Sequence, residues 1–165
     1  MPEPRSSSST DKNQSTNTGI LGEDLVAQWL EGEGWQILAR RWRCRWGELD
    51  IVALENLPQS SSPMLAFVEV KTRRRRNWDE DGLLSITESK QEKLSLAASV
   101  FLSDRPHLAD YPCRFDVALV RCSARPTKMA NDLATPSIVK LGHPVAIWDY
   151  QFVLQEYIKS AFNSY

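Results

Sequence analysis

Long apolar runs are missing from this 165-residue sequence, and cysteine and histidine are scarce, with three and two copies. No stretch approaches the ~18 consecutive apolar residues of a membrane-spanning helix, and the first residues lack the apolar core of a secretory signal. Cys44, Cys113 and Cys122 are odd in number and have no CxxC spacing, so we expect free thiols in a reducing compartment. His107 and His143 belong to no paired histidine pattern, which disfavours a zinc site. The sequence therefore predicts a cytoplasmic protein that does not contact a membrane.

An excess of positive charge is also missing, since the formal net charge is −1. This balance argues against a protein that coats nucleic acid by bulk electrostatics. Arginines are nevertheless concentrated in the run RRWRCRW (40–46), which either grips phosphates and stacks on bases or forms an edge strand with its tryptophans in the core. A second run, RRRR (73–76), is either a phosphate clamp or a solvated loop. The candidate nucleic-acid contacts are Arg43, Arg45, Arg73, Arg74, Arg75 and Arg76.

Hydrophobic spacing predicts an α/β protein with a mixed sheet flanked by helices. A polar tail over residues 1–17 has too little apolar surface to offset the entropy of ordering, so we expect it to be disordered. Residues 18–165 then form one domain, with 123–140 as a surface insertion. The predicted elements are a helix over 19–33, strands over 35–42, 47–54 and 65–71, a helix over 87–102, a strand over 114–120, an edge strand over 145–148 and a short amphipathic helix over 149–162.

Acidic residues interrupt two apolar strands that a polar loop connects into a hairpin. Folding this hairpin about its loop sets Leu54 opposite Leu65 and Asp50 opposite Glu69. Side chains alternate between the two faces of a strand, so Lys71 shares its face with Glu69. Cross-strand neighbours lie about 5 Å apart, and the three charged side chains are therefore expected to form one cluster. Because carboxylates are costly to bury unless they are paired or bind metal, this cluster is the main candidate for chemistry.

Carboxylate oxygens of this kind suit Mg²⁺ or Mn²⁺; Mg²⁺ usually keeps several waters while one or two protein carboxylates hold it. On this interpretation Asp50 and Glu69 are metal ligands, and Glu48 or Glu23 supplies a further carboxylate. A metal-bound water of lowered pKa is the nucleophile for attack on a phosphodiester, and Lys71 orients that water or stabilises the developing charge. A cross-strand salt bridge to Lys71 without function is the alternative.

Two helical residues are candidate neighbours of this cluster. Lys90 lies on the apolar stripe of its helix, four residues from both Ile86 and Leu94, where an ammonium needs an anion unless it reaches the surface. Glu23 falls at the margin of the apolar stripe of the first helix. It either borders the cluster or stabilises the helix N-terminus as a solvated acid.

Several motifs resemble the YraN-like family, small bacterial proteins with a restriction-endonuclease-like fold similar to archaeal Holliday junction resolvases. They are G-E at 22–23, G-E-L-D-I-V-A at 47–53, F-V-E-V-K-T-R at 67–73, the helical Lys90 and R-F-D-V at 114–117. The resemblance implies an αβββαβ core with a PD-(D/E)xK site, in which Asp50, Glu69 and Lys71 occupy the catalytic positions. Glu23 and Lys90 would match the acid of the first helix and the polar residue of the following helix.

These observations together predict a Mg²⁺-dependent endonuclease that hydrolyses phosphodiester bonds in branched or otherwise structured DNA. A nucleic-acid-binding protein that keeps the fold without turnover is the alternative, and an interaction protein with a salt-bridged core is a third. A junction-cutting enzyme would be expected to dimerise, so that two symmetric sites meet two strands.

Overall fold

The structure is a computed structural model that describes residues 9–56, 58, 62–74, 86–125 and 138–163, with side chains described from residue 17 onward. Its regular elements follow the predicted order of a helix, three strands, a helix and further strands. They are α1 (Ser9–Gly32), β1 (Trp35–Cys44), β2 (Gly47–Glu55), β3 (Leu65–Arg73), α2 (Glu88–Ser103), a 3₁₀ turn (Pro106–Leu108), β4 (Cys113–Ala124), β5 (Pro144–Ile147) and β6 (Tyr150–Phe162).

All six of these strands join one sheet in the order β1-β2-β3-β4-β6-β5. The β3–β4 pair is parallel, and the other neighbouring pairs are antiparallel. The parallel pair follows from the connection through α2, because a parallel crossover needs a long segment whereas a hairpin does not. The α/β class and the mixed sheet are therefore confirmed.

The two helices cover opposite faces of the sheet, because alternate residues of each strand point to opposite sides. Ile51 and Val68 pack on the face of α1, whereas Val52 and Phe67 pack on the face of α2. The buried residues of α1 recur at helical spacing, as do those of α2. They are Leu21, Leu25, Val26 and Leu30 in α1, and Leu94, Ala97, Ala98 and Phe101 in α2.

Gly22 sets how closely α1 approaches the sheet. A Cβ at this position would overlap Thr72 Oγ1, on the strand that carries the predicted acid and lysine. The absence of a side chain therefore lets the backbone of α1 touch β3, which brings the next residue, Glu23, to the end of the sheet where the charged cluster lies.

The C-terminal segment corrects one prediction, because residues 150–162 form strand β6 and not an amphipathic helix. β6 lies between β4 and β5, and its consecutive Phe152, Val153 and Leu154 are all buried. Irregular register against β4 breaks the strict alternation of a strand, which is why the apolar spacing suggests a helix. The edge strand predicted over 145–148 is observed as β5.

The structure describes parts of the predicted tail and of the predicted insertion. Residues 9–17 belong to α1, because the serine, threonine and asparagine of this segment are weak but tolerated helix formers next to a packed helix. Residues 1–8 lie outside the described residues. Within the predicted insertion, Ser123 and Ala124 continue β4, Val139 is buried against the α1 side of the sheet, and 126–137 lie outside the described residues.

Among the described residues, neither helix combines the length and the apolar character that crossing a lipid bilayer requires.

Candidate functional site

The candidate site lies where strands β2 and β3 separate. Their ladder runs from Leu54 opposite Leu65 to Ile51 opposite Val68, which confirms the predicted register. Beyond this pair, β2 continues along β1 and β3 continues along β4, so the two strands form a fork. Asp50 occupies the first position past the last pair, and its Oδ2 accepts a hydrogen bond from the Val70 backbone N–H at 2.8 Å. A side chain thus replaces a ladder bond and fixes the carboxylate across the fork.

Glu69 brings two ammonium groups to the same place. Its Oε1 lies 3.0 Å from Lys71 Nζ and 3.3 Å from Lys90 Nζ, so both predicted lysines reach the acid. The residue is only 5% exposed. Its other oxygen, Oε2, is buried and has no hydrogen-bond partner. A buried carboxylate oxygen without a donor is costly, and a cation or water is the group that would satisfy it.

Asp50 is held in an environment that disfavours its charge. Burial, and next the neighbouring charge of Glu69, raise its pKa from 3.8 to about 7, while the hydrogen bond from Val70 opposes the change. Glu23 raises the pKa further and Lys90 lowers it. The apolar surroundings explain the burial, because Leu49, Phe67, Leu94 and Phe115 line the same small cavity as the acid pair. Two carboxylates in such a cavity repel each other unless a cation lies near both.

The two acids fit a hard divalent cation. Mg²⁺ takes oxygen ligands and usually keeps several waters, so one or two protein carboxylates are sufficient to hold it. Asp50 and the unpartnered Oε2 of Glu69 supply those oxygens. No group of three or more histidine, cysteine, aspartate or glutamate side chains within the described ranges is placed to hold a metal. The site is therefore an open pair of carboxylates and not a closed cage.

Glu48, predicted as a further ligand, does not join a three-carboxylate group. It lies on the β2 arm of the fork, and its Oε2 accepts a hydrogen bond from Arg43 Nε at 3.0 Å across the β1–β2 ladder. Its charge nevertheless raises the pKa of Glu23, which shows that both acids face the same region.

Glu23 borders the site, as its position on the first helix predicts. Burial raises its pKa, and the charges of Glu48 and Glu69 act in the same direction, whereas Arg41 lowers it. Arg41 Nε lies 3.5 Å from Glu23 Oε2. The sequence gives no indication of this role for Arg41, which adopts a positive φ of 48° that only the backbone geometry reveals. Asp24, paired with Arg40, adds a second link between α1 and β1.

The arginines predicted to bind nucleic acid differ in their contacts. Arg43 pairs with Glu48, and Arg45 stacks over Trp46 with its Cζ 4.6 Å from the ring centroid. Arg73 ends β3 and is exposed, and Arg74 donates to Tyr150 Oη at 3.4 Å. Arg75 and Arg76 lie outside the described residues.

Asp116 has a structural role in joining β4 to β6. This fully buried carboxylate accepts hydrogen bonds from Arg114 Nε at 2.9 Å, from Tyr157 Oη at 2.8 Å and from the Ser160 N–H at 2.9 Å. Burial raises the pKa of Tyr157, and the charge of Asp116 adds to this effect. The network fastens β6 to β4 on the face opposite the acid pair, and it stabilises the sheet without reaching the fork.

Comparison with known proteins identifies the family. A family model described as "Uncharacterised protein family UPF0102" matches residues 22–120. The chain belongs to the UPF0102 family. A UPF0102 protein of Trichodesmium erythraeum is 56% identical over 95% of this chain and 94% of its own length. UPF0102 proteins of Acaryochloris marina and of a Synechocystis strain are 47% and 40% identical, over 99% and 90% of this chain and 99% of their own lengths. The family resemblance read from the motifs is thereby confirmed.

The UPF0102 match contains the whole candidate site. It begins at Gly22, whose missing side chain admits α1, and it ends within β4. The fork acids and both lysines fall inside these bounds. Strands β5 and β6 lie beyond them, although they complete the sheet next to β4.

Proposed function

We propose that this UPF0102 chain is a cytoplasmic, Mg²⁺- or Mn²⁺-dependent endonuclease that hydrolyses phosphodiester bonds in branched or otherwise structured DNA. The observation that supports it best is the largely buried acid pair at the fork, Asp50 and Glu69, with the ammonium groups of Lys71 and Lys90 beside it. A structural salt bridge alone does not require two acids to share a cavity in which one has its pKa raised to about 7.

The chemistry of the site follows from these groups. Asp50 and Glu69 would hold the divalent cation, which lowers the pKa of a bound water and so supplies a hydroxide nucleophile. The ammonium of Lys71 lies on the same strand face as Glu69, 3.0 Å from its Oε1, and would be near a phosphate bound at that cation. It stabilises the negative charge that develops on the phosphoryl oxygens during hydrolysis.

Lys90 acts from the opposite wall of the site. It reaches the same oxygen of Glu69 from α2, so it balances the charge of the acid pair and leaves the buried Oε2 without a protein partner. We assign it to positioning Glu69, whereas Lys71 contacts the reacting phosphate. Glu23 supplies negative charge at the margin.

The order of elements supports the same conclusion. A helix, three antiparallel strands, a second helix and a parallel strand are the αβββαβ arrangement that the restriction-endonuclease-like resemblance implies. A fold alone does not define a reaction, so the proposal depends on the side chains at the fork. If the substrate is a four-way junction, a homodimer would present two such sites to two strands.

Metal-dependent cleavage of labelled DNA tests the proposal. Linear, flapped and four-way DNA are incubated with the protein while Mg²⁺ or Mn²⁺ is titrated. We expect metal-dependent cutting of the structured DNA, and a loss of about 10²-fold or more in rate for Asp50→Asn, Glu69→Gln and Lys71→Met. Lys93→Met, on the exposed side of α2, is the matched control for a lost lysine and should cut like the parent chain.

The outcome also separates the alternatives. Tight binding of the structured DNA without metal-dependent cutting would show a nucleic-acid-binding protein that keeps the fold without turnover. Absence of both binding and cutting would leave the acid pair as a structural feature of an interaction protein. Cutting that persists in the Asp50 and Glu69 variants would place the active site elsewhere.

A further inference from the structure

Two exposed tryptophans mark the tips of two β-hairpins. Trp46 lies in the turn between β1 and β2 and is 38% exposed. Trp148 lies in the turn between β5 and β6 and is 68% exposed. Neither indole contributes to a hydrophobic core cluster, in contrast to Trp42, which packs against Phe101 with ring centroids 5.3 Å apart.

The sheet topology brings both tips to the same end of the sheet. Strand β2 runs antiparallel to β3, so the turn before β2 lies at the end of the sheet where β3 ends. Strand β4 runs parallel to β3 and antiparallel to β6, so the turn before β6 lies at that end too. The tips flank the fork, one on each side.

The first tip combines its exposed indole with an arginine, and the second tip lies two residues before a tyrosine that contacts one. Arg45 Cζ lies 4.6 Å from the centroid of the Trp46 ring. At the other tip, Arg74 Cζ lies 5.6 Å from the ring of Tyr150, two residues after Trp148. The Arg125 N–H donates to the Asp149 carbonyl at 2.8 Å and fastens this turn to the end of β4. Arginine next to an exposed ring, as at the Trp46 tip, is the combination that binds a nucleic-acid backbone while a base stacks.

Trp148 has an unusual backbone conformation. Its φ of 51° lies in the left-handed region, where a residue with a Cβ is disfavoured. Unfavourable backbone conformations of this kind concentrate at functional sites. A large indole kept in such a turn and exposed to solvent gains no packing energy that would compensate for it.

We propose that Trp46 and Trp148 stack on unpaired bases on either side of the scissile phosphate, so that DNA with single-stranded segments is the preferred substrate class. This inference rests on the proposed nuclease function, because it assigns the substrate of the same site. Fully paired DNA stacks its bases internally and offers no free face to the indoles.

Binding measurements without cleavage test this inference. The protein is titrated into three labelled DNAs in the presence of EDTA, and fluorescence anisotropy gives each Kd. The DNAs are a duplex, the same duplex with a single-stranded flap, and the flapped duplex with abasic nucleotides in the flap. The parent chain should bind the flapped duplex more tightly than the other two. Trp46→Ala and Trp148→Ala should each weaken binding to the flap about tenfold and leave binding to the duplex unchanged.

Controls separate stacking from charge and from folding. Leu96→Ala removes another exposed apolar side chain, on α2, and should leave every Kd unchanged. Trp148→Phe keeps a ring and should retain most of the affinity. Arg74→Gln should flatten the dependence of log affinity on log salt by about one unit, whereas the tryptophan variants should not change this slope. The abasic flap tests stacking in the parent chain itself and requires no variant to fold.

Equal affinities of the parent chain for the intact and abasic flaps would overturn the inference, as would a tryptophan variant that weakens duplex and flap equally. Either result leaves the proposed nuclease function standing if Mg²⁺-dependent cutting is observed. Conversely, base-dependent binding by a chain that never cuts would refute the proposed nuclease function and the placement of the indoles around a scissile phosphate, and would leave only the base contacts.

Discussion

Replacing Asp50 by asparagine should make the metal-free protein more stable at alkaline pH. The carboxylate is partly buried beside Glu69, and burial together with that charge raises its pKa to about 7. An asparagine has nearly the same shape, and its Oδ1 can still accept the hydrogen bond from Val70 N–H. The substitution therefore removes the unfavourable charge and retains the bond that closes the fork.

The sign and the size of this change in stability follow from proton linkage. Between pH 3.8 and about 7 the folded protein binds a proton at Asp50 that the unfolded chain has released, so the free energy of unfolding falls as the pH rises through this window. Below this window Asp50 is protonated in both the folded and the unfolded chain, so burying its charge no longer lowers the free energy of unfolding. The separation corresponds to about 4 kcal/mol at about 1.36 kcal/mol per pH unit. We expect about 2–4 kcal/mol, because water recovers part of the cost at a partly buried site.

Urea unfolding in EDTA measures this difference. The gain in stability of Asp50→Asn over the parent chain should be small near about pH 4.5 and should grow to about 2–4 kcal/mol near about pH 8. Asp110→Asn, at an exposed aspartate, is the matched control and should show no such growth. Addition of Mg²⁺ should stabilise the parent chain and not the variant, because only the former keeps both carboxylates. A difference independent of pH, or an Asp50→Asn chain less stable than the parent chain at pH 8, would refute the reasoning.

Other substitutions test neighbouring contacts. Lys90→Met should raise the pKa of Asp50 further, since the ammonium lowers it, and carboxyl-carbon NMR titration against Lys93→Met would measure this. Gly22→Ala should cost about 1–3 kcal/mol in urea unfolding, because its Cβ meets Thr72, whereas Gly19→Ala, with open space around it, should be neutral or stabilising. Tyr157→Phe should cost about 1.5–3 kcal/mol through the lost hydrogen bond to a buried carboxylate, with unchanged DNA cleavage as its second readout.

Local pattern was sufficient to predict the centre of the fold and of the site. The hairpin register depends on the apolar alternation of β2 and β3, and a shift by one residue would turn every side chain to the other face. Leu54 therefore pairs with Leu65 as predicted. Lys90 follows from the same logic, since an apolar helical stripe that contains an ammonium indicates an anion beneath it. The charged residues were informative because each one breaks an otherwise apolar face.

Features that depend on long-range pairing were not accessible in this way. Strand β6 pairs with β4 through irregular register, so its apolar spacing resembles that of a helix. Trp42 and Trp46 belong to the same arginine-rich run, yet one is packed against α2 and the other is exposed at a turn. Whether a tryptophan of this run packs in the core or is exposed depends on where the turn between β1 and β2 falls. The partner of Glu48 was not accessible for a similar reason, because its cross-strand neighbour is Arg43.

The fork explains why charged groups can lie between two central strands of the sheet. Had β2 and β3 stayed paired past Ile51 and Val68, main-chain hydrogen bonds would have closed the gap between the strands. Because the strands separate, the Val70 N–H is left without a main-chain partner from β2, and the Asp50 carboxylate takes that place. The bond orients one carboxylate towards the space in which Glu69 keeps an unpartnered oxygen. A cation would relieve the repulsion of both acids, so the same separation of strands that destabilises the metal-free protein creates its site for a metal.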